Sequence, residues 1–497
     1  QSTSIEPDSG YVIMKKDRDL QFKGLLSVGK FSSIVKDAYF SYQDFKFVLK
    51  DLDYSVLRVN PLKQGDGSDI IEMGSSFSEL KGEILVDKPT SKSGKNNDNA
   101  AYPKLLVPGT SKVFYNSYEI LKGAYDAKRF YYSLEPFELD SLDDFNERSL
   151  SLKGQLISGG IFPPIREEIK IMADYSFGFS TKAPEGGYPF YGKESIYENK
   201  ILLSNNGLQG AGTINFLTAS AISNKLTFLP DSTIGLAKFS NVGVENGTQV
   251  PTVFSETAFI SFIPAMQILK ATSFKEYNLE MFDNQCQLNG TVVLTKKGMY
   301  GMGQMLFNDA SISTRHFDFS FNDIDSDTAN FYLKNKYVTG SESSLAIETD
   351  GVKAHVSLKD RKGEFNSFGL KRIKFPANVY YCTMDKFFWY MDGESVDFEK
   401  NNSKETAFEA GADILDPNFF SLDDRQDSLR FRSLSAKYDM KSQTIFCNKV
   451  EYVRVGDAKI FPDSMKIVIK KNAFMEPLKN AVVVANYITQ FHKFYKV

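Results

Sequence analysis

The sequence predicts an all-β protein: an elongated stack of antiparallel strands, arranged as a β-solenoid, a β-taco-like stack or tandem β-sandwich modules, with little helix. Three observations predict it. A short phrase recurs, an apolar residue followed usually by Lys, then Gly and alternating apolar positions. It reads Phe22-Lys23-Gly24-Leu25-Leu26, Leu80-Lys81-Gly82-Glu83-Ile84, Leu152-Lys153-Gly154-Gln155-Leu156 and, more loosely, Leu288-Asn289-Gly290-Thr291-Val292. A unit that returns in this way is expected where each unit covers the apolar face of its neighbour. The second observation is period-two alternation, clearest in Val352-Lys353-Ala354-His355-Val356-Ser357-Leu358-Lys359 and repeated at 45–49, 169–172, 317–321 and 466–469. Such a pattern sends one row of side chains into a core and the other, here including His355, into water. The third is an aromatic content of 14%, supplied by 42 Phe and 25 Tyr against one Trp, Trp389; Phe and Tyr suit pleated, half-buried surfaces.

Along the chain, residues 1–60 read as an N-terminal β unit carrying the Gly24 phrase. Residues 61–150 read as a second unit with the Gly82 phrase, a polar loop over 87–102 and an aromatic segment. The loop, through Lys92-Ser93-Gly94-Lys95-Asn96-Asn97-Asp98-Asn99, has almost nothing apolar to bury. The aromatic segment, Phe114, Tyr115, Tyr118, Tyr125, Phe130, Tyr131 and Tyr132, is a candidate interface or sugar-stacking platform, with plain core packing as the alternative. A short helix is expected around Asn116 to Lys122.

Residues 151–240 and 241–340 read as two copies of one module. Gly207-Leu208-Gln209-Gly210-Ala211-Gly212, followed by Phe216, Ala219 and Ser220, aligns without gaps on Gly298-Met299-Tyr300-Gly301-Met302-Gly303, followed by Phe307, Ala310 and Ser311, at an offset of 91 residues. The Gly-x-Gly of each copy lacks the third glycine and the following helix of a dinucleotide site. Gly210, Gly212, Gly301 and Gly303 therefore read as positions of tight bending or close strand packing, and no cofactor is expected. With the Lys-Gly phrases, they are expected to mark where each new layer of strands begins. Residues 341–497 form a C-terminal β region; Pro477-Leu478-Lys479-Asn480-Ala481 onward is ambiguous between helix and strand because of Val482-Val483-Val484. The last residues, Phe494-Tyr495-Lys496-Val497, look like an interrupted strand, so this region is expected to continue beyond the chain.

With 59 basic against 62 acidic residues, the formal net charge is −3. No global field draws such a chain onto nucleic acid or an anionic membrane. Cys286, Cys382 and Cys447 form no CxxC pair, which excludes a zinc ribbon and a disulfide-dense scaffold and leaves open a single Cys382–Cys447 bridge. Three histidines, His316, His355 and His492, are too scattered for a His-rich metal centre. No apolar run approaches the ~18 residues of a membrane-spanning helix, and Gln1-Ser2-Thr3-Ser4 does not open a signal region.

Catalytic groups do not declare themselves. There is no GxSxG elbow, and 62 acidic residues supply carboxylate pairs without locating a glycoside-cleaving one, since the spacing that matters is spatial. Asp323, Asp325 and Asp327 alternate like the opening of a calcium loop, but Thr328 stands at the sixth position and Lys334 replaces the bidentate Glu. A solvated turn between strands over 317–321 and 331–333 is the competing account.

Asp140-Ser141-Leu142, Asp231-Ser232-Thr233, Asp327-Thr328-Ala329, Asp427-Ser428-Leu429 and Asp463-Ser464-Met465 resemble the O-glycosylation triplet of exported Bacteroidota proteins, although Asp-Ser also begins turns. Lys362-Gly363-Glu364-Phe365, Phe375-Pro376-Ala377-Asn378-Val379-Tyr380-Tyr381-Cys382, Phe388-Trp389-Tyr390-Met391-Asp392, Ser435-Ala436-Lys437-Tyr438-Asp439 and Asp457-Ala458-Lys459-Ile460-Phe461-Pro462-Asp463 together resemble very large, exported, β-rich envelope proteins of Bacteroidota without an assigned activity. The resemblance implies export, to the periplasm or the outer membrane, and carries no catalytic residue. In architecture alone the chain looks like the AsmA, TamB and LptA class, whose stacked strands form a groove for lipid. The expected function is accordingly a non-enzymatic scaffold or conduit that carries lipid along an apolar groove, lined for example by Val352, Ala354, Val356 and Leu358. The alternatives are a structural subunit of an outer-membrane assembly, secretion or nutrient-uptake complex, and a carbohydrate-active enzyme on a β-fold. The expected partners are other envelope proteins or lipid, not nucleic acid.

Overall fold

A computed structural model describes residues 3–62, 70–93, 100–192, 195–338, 345–367, 371–400, 417–486 and 492–497. It is nearly all β, with antiparallel sheets of 13 and 30 strands. Its helical turns among the described residues are Pro376–Asn378 and Asp424–Gln426. Part of the expected polar loop, 94–99, lies outside the described residues. No helix among them is long and apolar enough to cross a membrane.

The helix expected around Asn116 to Lys122 is absent, and the ambiguous 477–485 segment resolves toward strand. Residues 116–123 form overlapping turns, with Ile120 N–H donating to Ser117 O and Gly123 N–H to Ile120 O. Leu121 and Lys122 hold φ of 49° and 58°, which breaks a right-handed helix. At the other site β-branching prevails: Val482–Ala485 is a strand.

The chain divides into two compact units, one of Gln1–Ala237 with Ser261–Met266 and the other of Lys238–Ile260 with Gln267–Val497. The sequence boundaries at 60, 150 and 340 fall inside a unit, and that at 240 falls near the division. In the first unit, strands Thr3–Pro7, Leu20–Val28, Phe31–Ser41 and Lys46–Val59 pair in order. The last of these is 14 residues long, and it splits the sheet. Its Ser55–Val59 end pairs with Ile71–Ser78, while its Lys46–Leu49 end pairs with Gly82–Leu85. Across the fork, Phe77 and Phe137 rings lie 5.6 Å apart, so the branches bury their apolar rows against each other.

The recurring phrase has a geometric cause. A Cβ on Gly24, Gly82, Gly154 or Gly290 would sit 2.3, 2.3, 2.1 or 2.1 Å from a carbonyl oxygen of Glu6, Leu106, Ser133 or Met302. Only a hydrogen fits where the neighbouring backbone comes that close. The apolar residue before each Lys or Asn (Phe22, Leu80, Leu152, Leu288) is buried, and Lys23, Lys81 and Lys153 are exposed. The phrase does not open each layer, however: Gly82 and Gly154 begin strands, whereas Gly24 and Gly290 stand inside Leu20–Val28 and Cys286–Thr295.

The duplication is structural. Strands Ser195–Ser204 and Ala219–Phe228 recur 91 residues later as Cys286–Thr295 and Ala310–Phe319, and between them Gly207–Phe216 recurs as Gly298–Leu306. Each copy slips register at the same place, between Gly210 and Gly212 and between Gly301 and Gly303. Glycine tolerates the local distortion of such a bulge.

From Leu345 onward the second unit is built hairpin by hairpin. Val352–Ser357 and Lys362–Asn366 extend one sheet, Ile373–Phe375 and Tyr380–Cys382 the other. Lys386–Tyr390 and Ser395–Glu399 then return to the first, and Phe419–Ser421 and Arg430–Phe431 to the second. The alternation continues through Ser435–Asp439 and Thr444–Asn448, then Val453–Val455 and Ala458–Phe461. Between the sheets lies an aromatic core in which Phe375 of one reaches Phe398 and Tyr438 of the other at 5.4 and 5.8 Å. Val352, Ala354, Val356 and Leu358, expected to line an open groove, are 0–2% exposed. The facing sheet covers that row.

Candidate functional site

One face of the first unit holds a cleft of about 450 Å³. Strand pairing assembles it in rows: Glu6 stands opposite Leu25, Leu25 opposite Ile34, and Ile34 opposite Tyr54. Beside this row run Ser4, Ser27 and Ser32, the last two with hydroxyl oxygens 3.1 Å apart. Tyr54 donates its hydroxyl to Glu72 Oε1 at 3.3 Å, and Arg58 Nη2 donates to Gly29 O at 3.3 Å. Burial, reinforced by the Glu72 charge, pushes the Tyr54 phenol up, so it remains a donor. An apolar floor edged by hydroxyls suits hydrogen bonding to a polyhydroxylated surface. Glu6 and Glu72 are four strand spacings apart, roughly 19 Å along the sheet at ~4.8 Å per strand. That exceeds the ~9.5 Å over which paired carboxylates cleave a glycoside.

A second cleft of about 680 Å³ opens over the third Lys-Gly phrase, lined by Lys153, Gly154, Glu135, Arg166, Glu167 and Glu168 among others. Two of its acids already have partners. Glu167 accepts from Thr181 Oγ1 at 2.5 Å and Glu168 from the Ser151 hydroxyl.

The aromatic segment is divided between core and surface. Tyr115, Tyr125, Phe130 and Tyr132 are 0–1% exposed, which removes them from any docking surface. Tyr115 donates to Phe177 O at 2.9 Å; Tyr125 stacks on Phe130 at 3.9 Å, donates to Phe228 O at 2.7 Å and accepts from Leu208 N–H at 2.9 Å. Tyr132 donates to Glu167 O. Burial raises the pKa of all three phenols, that of Tyr125 to about 12. Phe114 and Tyr131 are half-buried partners at 6.4 Å, and Tyr118 is 77% exposed.

The aspartates do not form a loop. Asp323–Lys334 is a strand whose preceding turn is closed by Ser320, so alternate positions place Asp323, Asp325 and Asp327 on one face. Asp325 meets His355 Nδ1 at 2.8 Å and Asp327 meets Lys353 at 3.1 Å. Basic side chains stand where a calcium ion would be needed, and among the described residues no cluster of three or more metal-ligating side chains exists.

Cys286, Cys382 and Cys447 are free and buried, so the Cys382–Cys447 bridge is not formed. Burial pushes the Cys286 and Cys382 thiols up to about 12 and that of Cys447 well up, which removes their nucleophilic form at neutral pH.

One constellation escaped the sequence. Register brings Arg430, Arg454 and Lys459 from three strands into consecutive cross-strand positions; their spacing along the chain carries no local signature. No family model matches the chain, and neither a curated protein nor a solved structure is similar to it.

Proposed function

We propose that the chain is a non-catalytic scaffold, a structural subunit of a cell-envelope assembly that spaces and holds partner proteins. The observation that carries this reading is the alternating hairpin stack from Leu345 onward. Each hairpin pairs with the one made two steps earlier and the one made two steps later, so each addition lengthens one sheet by about two strand spacings, ~10 Å, and every two consecutive hairpins lengthen both. The strands from Asp323–Lys334 to Lys466–Ile469 in one sheet amount to eight, a ruled surface on the order of 30 Å long.

The placement in the envelope rests on the resemblance to exported Bacteroidota proteins. A spacer is preferred to a lipid-carrying trough because the row Val352, Ala354, Val356 and Leu358 is covered by the facing sheet. The test is isolation of the tagged chain from native envelope after mild chemical cross-linking. Stoichiometric recovery of one or more envelope proteins is expected. Recovery of the chain alone, with and without cross-linker, overturns the reading.

A further inference from the structure

The 450 Å³ cleft of the first unit has a chemistry that the scaffold reading leaves unused. Its floor is apolar, made by Leu25, Ile34, Val56 and the Tyr54 ring. Ile34 and Tyr54 are 41% and 37% exposed and stand directly opposite each other on neighbouring strands. A single exposed apolar side chain is ordinary, but here polar groups surround the pair. The hydroxyls of Ser27, Ser32 and Tyr54 both donate and accept; Glu6 and Glu72 accept, and Arg58 donates.

Arg58 is the group that folding leaves unfinished. Register sets it opposite Glu72, yet Glu72 accepts from the Tyr54 hydroxyl at 3.3 Å, and among the described residues no carboxylate forms an ion pair with Arg58. Its Nη2 donates to Gly29 O at 3.3 Å, while its Nε is buried without a hydrogen-bond partner. An unmade buried donor is costly, and a polar ligand that draws the guanidinium toward the cleft relieves it. The backbone beneath is firmly held. Arg58 N–H donates to Lys30 O at 2.7 Å; the Lys30 ammonium meets Glu147 Oε1 at 2.8 Å, and the same oxygen accepts from Asn60 N–H at 3.0 Å. The strand is thus anchored around Arg58 while the guanidinium keeps unused donors.

We propose that this cleft binds a neutral, linear oligosaccharide, with Ile34 and the Tyr54 ring against the C–H face of a sugar and Arg58, Glu72 and the serine hydroxyls on its hydroxyl groups. A sugar hydroxyl both donates and accepts, so a rim that sets donors beside acceptors satisfies it. Charge selects a neutral chain: two carboxylates against one guanidinium leave the cleft negative, which repels an acidic polymer. A lipid tail would strand the same polar groups in apolar contact. The long cross-strand run from Glu6 to Glu72 suits a chain of several rings, and their separation leaves that chain uncleaved. The inference is independent of the scaffold reading, since nothing in it requires a protein partner.

The experiment is isothermal titration of the full chain with cellohexaose, maltohexaose, laminarihexaose and mannohexaose up to millimolar concentration, and with an acidic oligogalacturonate. Binding of at least one neutral sugar is expected, with that sugar recovered intact and the acidic oligomer bound more weakly. Tyr54→Ala should weaken the interaction at least about tenfold through loss of the ring. Glu72→Gln and Arg58→Lys should each cost roughly fivefold, the equivalent of one hydrogen bond. Arg58→Lys keeps the charge and the aliphatic stem, which guards against a folding defect, and Tyr118→Phe, remote in sequence and 77% exposed, should bind as the parent does. Failure of every neutral sugar to bind, tighter binding of the acidic oligomer, cleavage of the sugar, or a folded Tyr54→Ala variant that binds normally overturns the proposal.

Discussion

Replacing Tyr125 by Phe removes one oxygen from the first unit and leaves its ring stacked on Phe130 at 3.9 Å. That oxygen makes two hydrogen bonds, to Phe228 O at 2.7 Å and from Leu208 N–H at 2.9 Å, spanning 103 and 83 residues of sequence. The substitution leaves a buried carbonyl and a buried amide without this partner, each worth about 1–3 kcal/mol. We expect a loss of roughly 3 kcal/mol, which for a unit of this size lowers the melting temperature by about 6–12 °C. The sign of the pH dependence provides a second readout. The Tyr125 phenol is raised from 10 to about 12, so between those values the native state holds a proton that the unfolded chain has lost. Its contribution is complete below pH 10 and is lost as pH rises through 12, roughly 3 kcal/mol over two units. Calorimetry of the parent and of Tyr125→Phe at pH 8 and across pH 10–12 measures both effects, with Tyr118→Phe, at a 77% exposed position, as the inert control. The gap between parent and variant should narrow at high pH. A variant that melts within a degree of the parent at pH 8 would refute the claim that this hydroxyl ties the strands together.

Gly154→Ala would place a methyl group 2.1 Å from Ser133 O; strand separation should cost at least about 2 kcal/mol in urea unfolding, whereas Gly109→Ala, with nothing within 4 Å, should be neutral. Asp325→Asn removes an exposed pair with His355 worth at most ~1 kcal/mol, and calcium up to millimolar levels should shift the melting temperature of neither protein; a shift in the parent that the variant lacks would restore a calcium site. The three thiols, buried and raised, should be unreactive to a chromogenic disulfide at pH 8 and titrate fully in guanidinium. A thiol that reacts at once in the native protein would contradict their burial.

Period-two alternation identified the strands well because it reports burial on one face directly. Val352–Ser357 and Lys466–Ile469 stand almost where their patterns placed them. The glycines were equally legible, since close backbone approach excludes every other residue at Gly154 and Gly290. What the chain does not spell out is pairing. Asp323, Asp325 and Asp327 read as a solvated turn or the opening of a calcium loop because the side chains they meet, Lys353 and His355, arrive from a strand some thirty residues downstream. Tyr115 and Tyr125 could not be assigned between a docking surface and the core because the carbonyls they bond belong to Phe177 and Phe228. The row Arg430, Arg454 and Lys459 exists only once three strands are in register. Sequence displays which face a residue takes; register decides whom it meets.

The hairpin stack also has a direction in time. From Leu345 onward, every described strand finds its partner among strands earlier in the chain: Ile373–Phe375 on Leu345–Thr349, Lys386–Tyr390 on Lys362–Asn366, Ser435–Asp439 on Ser395–Glu399. None has to wait for a later segment. A polypeptide emerging N-terminus first from a ribosome or a translocation pore could therefore set each hairpin onto a finished template as it appears. A pull on the C-terminus would peel the same hairpins away in reverse, one at a time, as a zip opens.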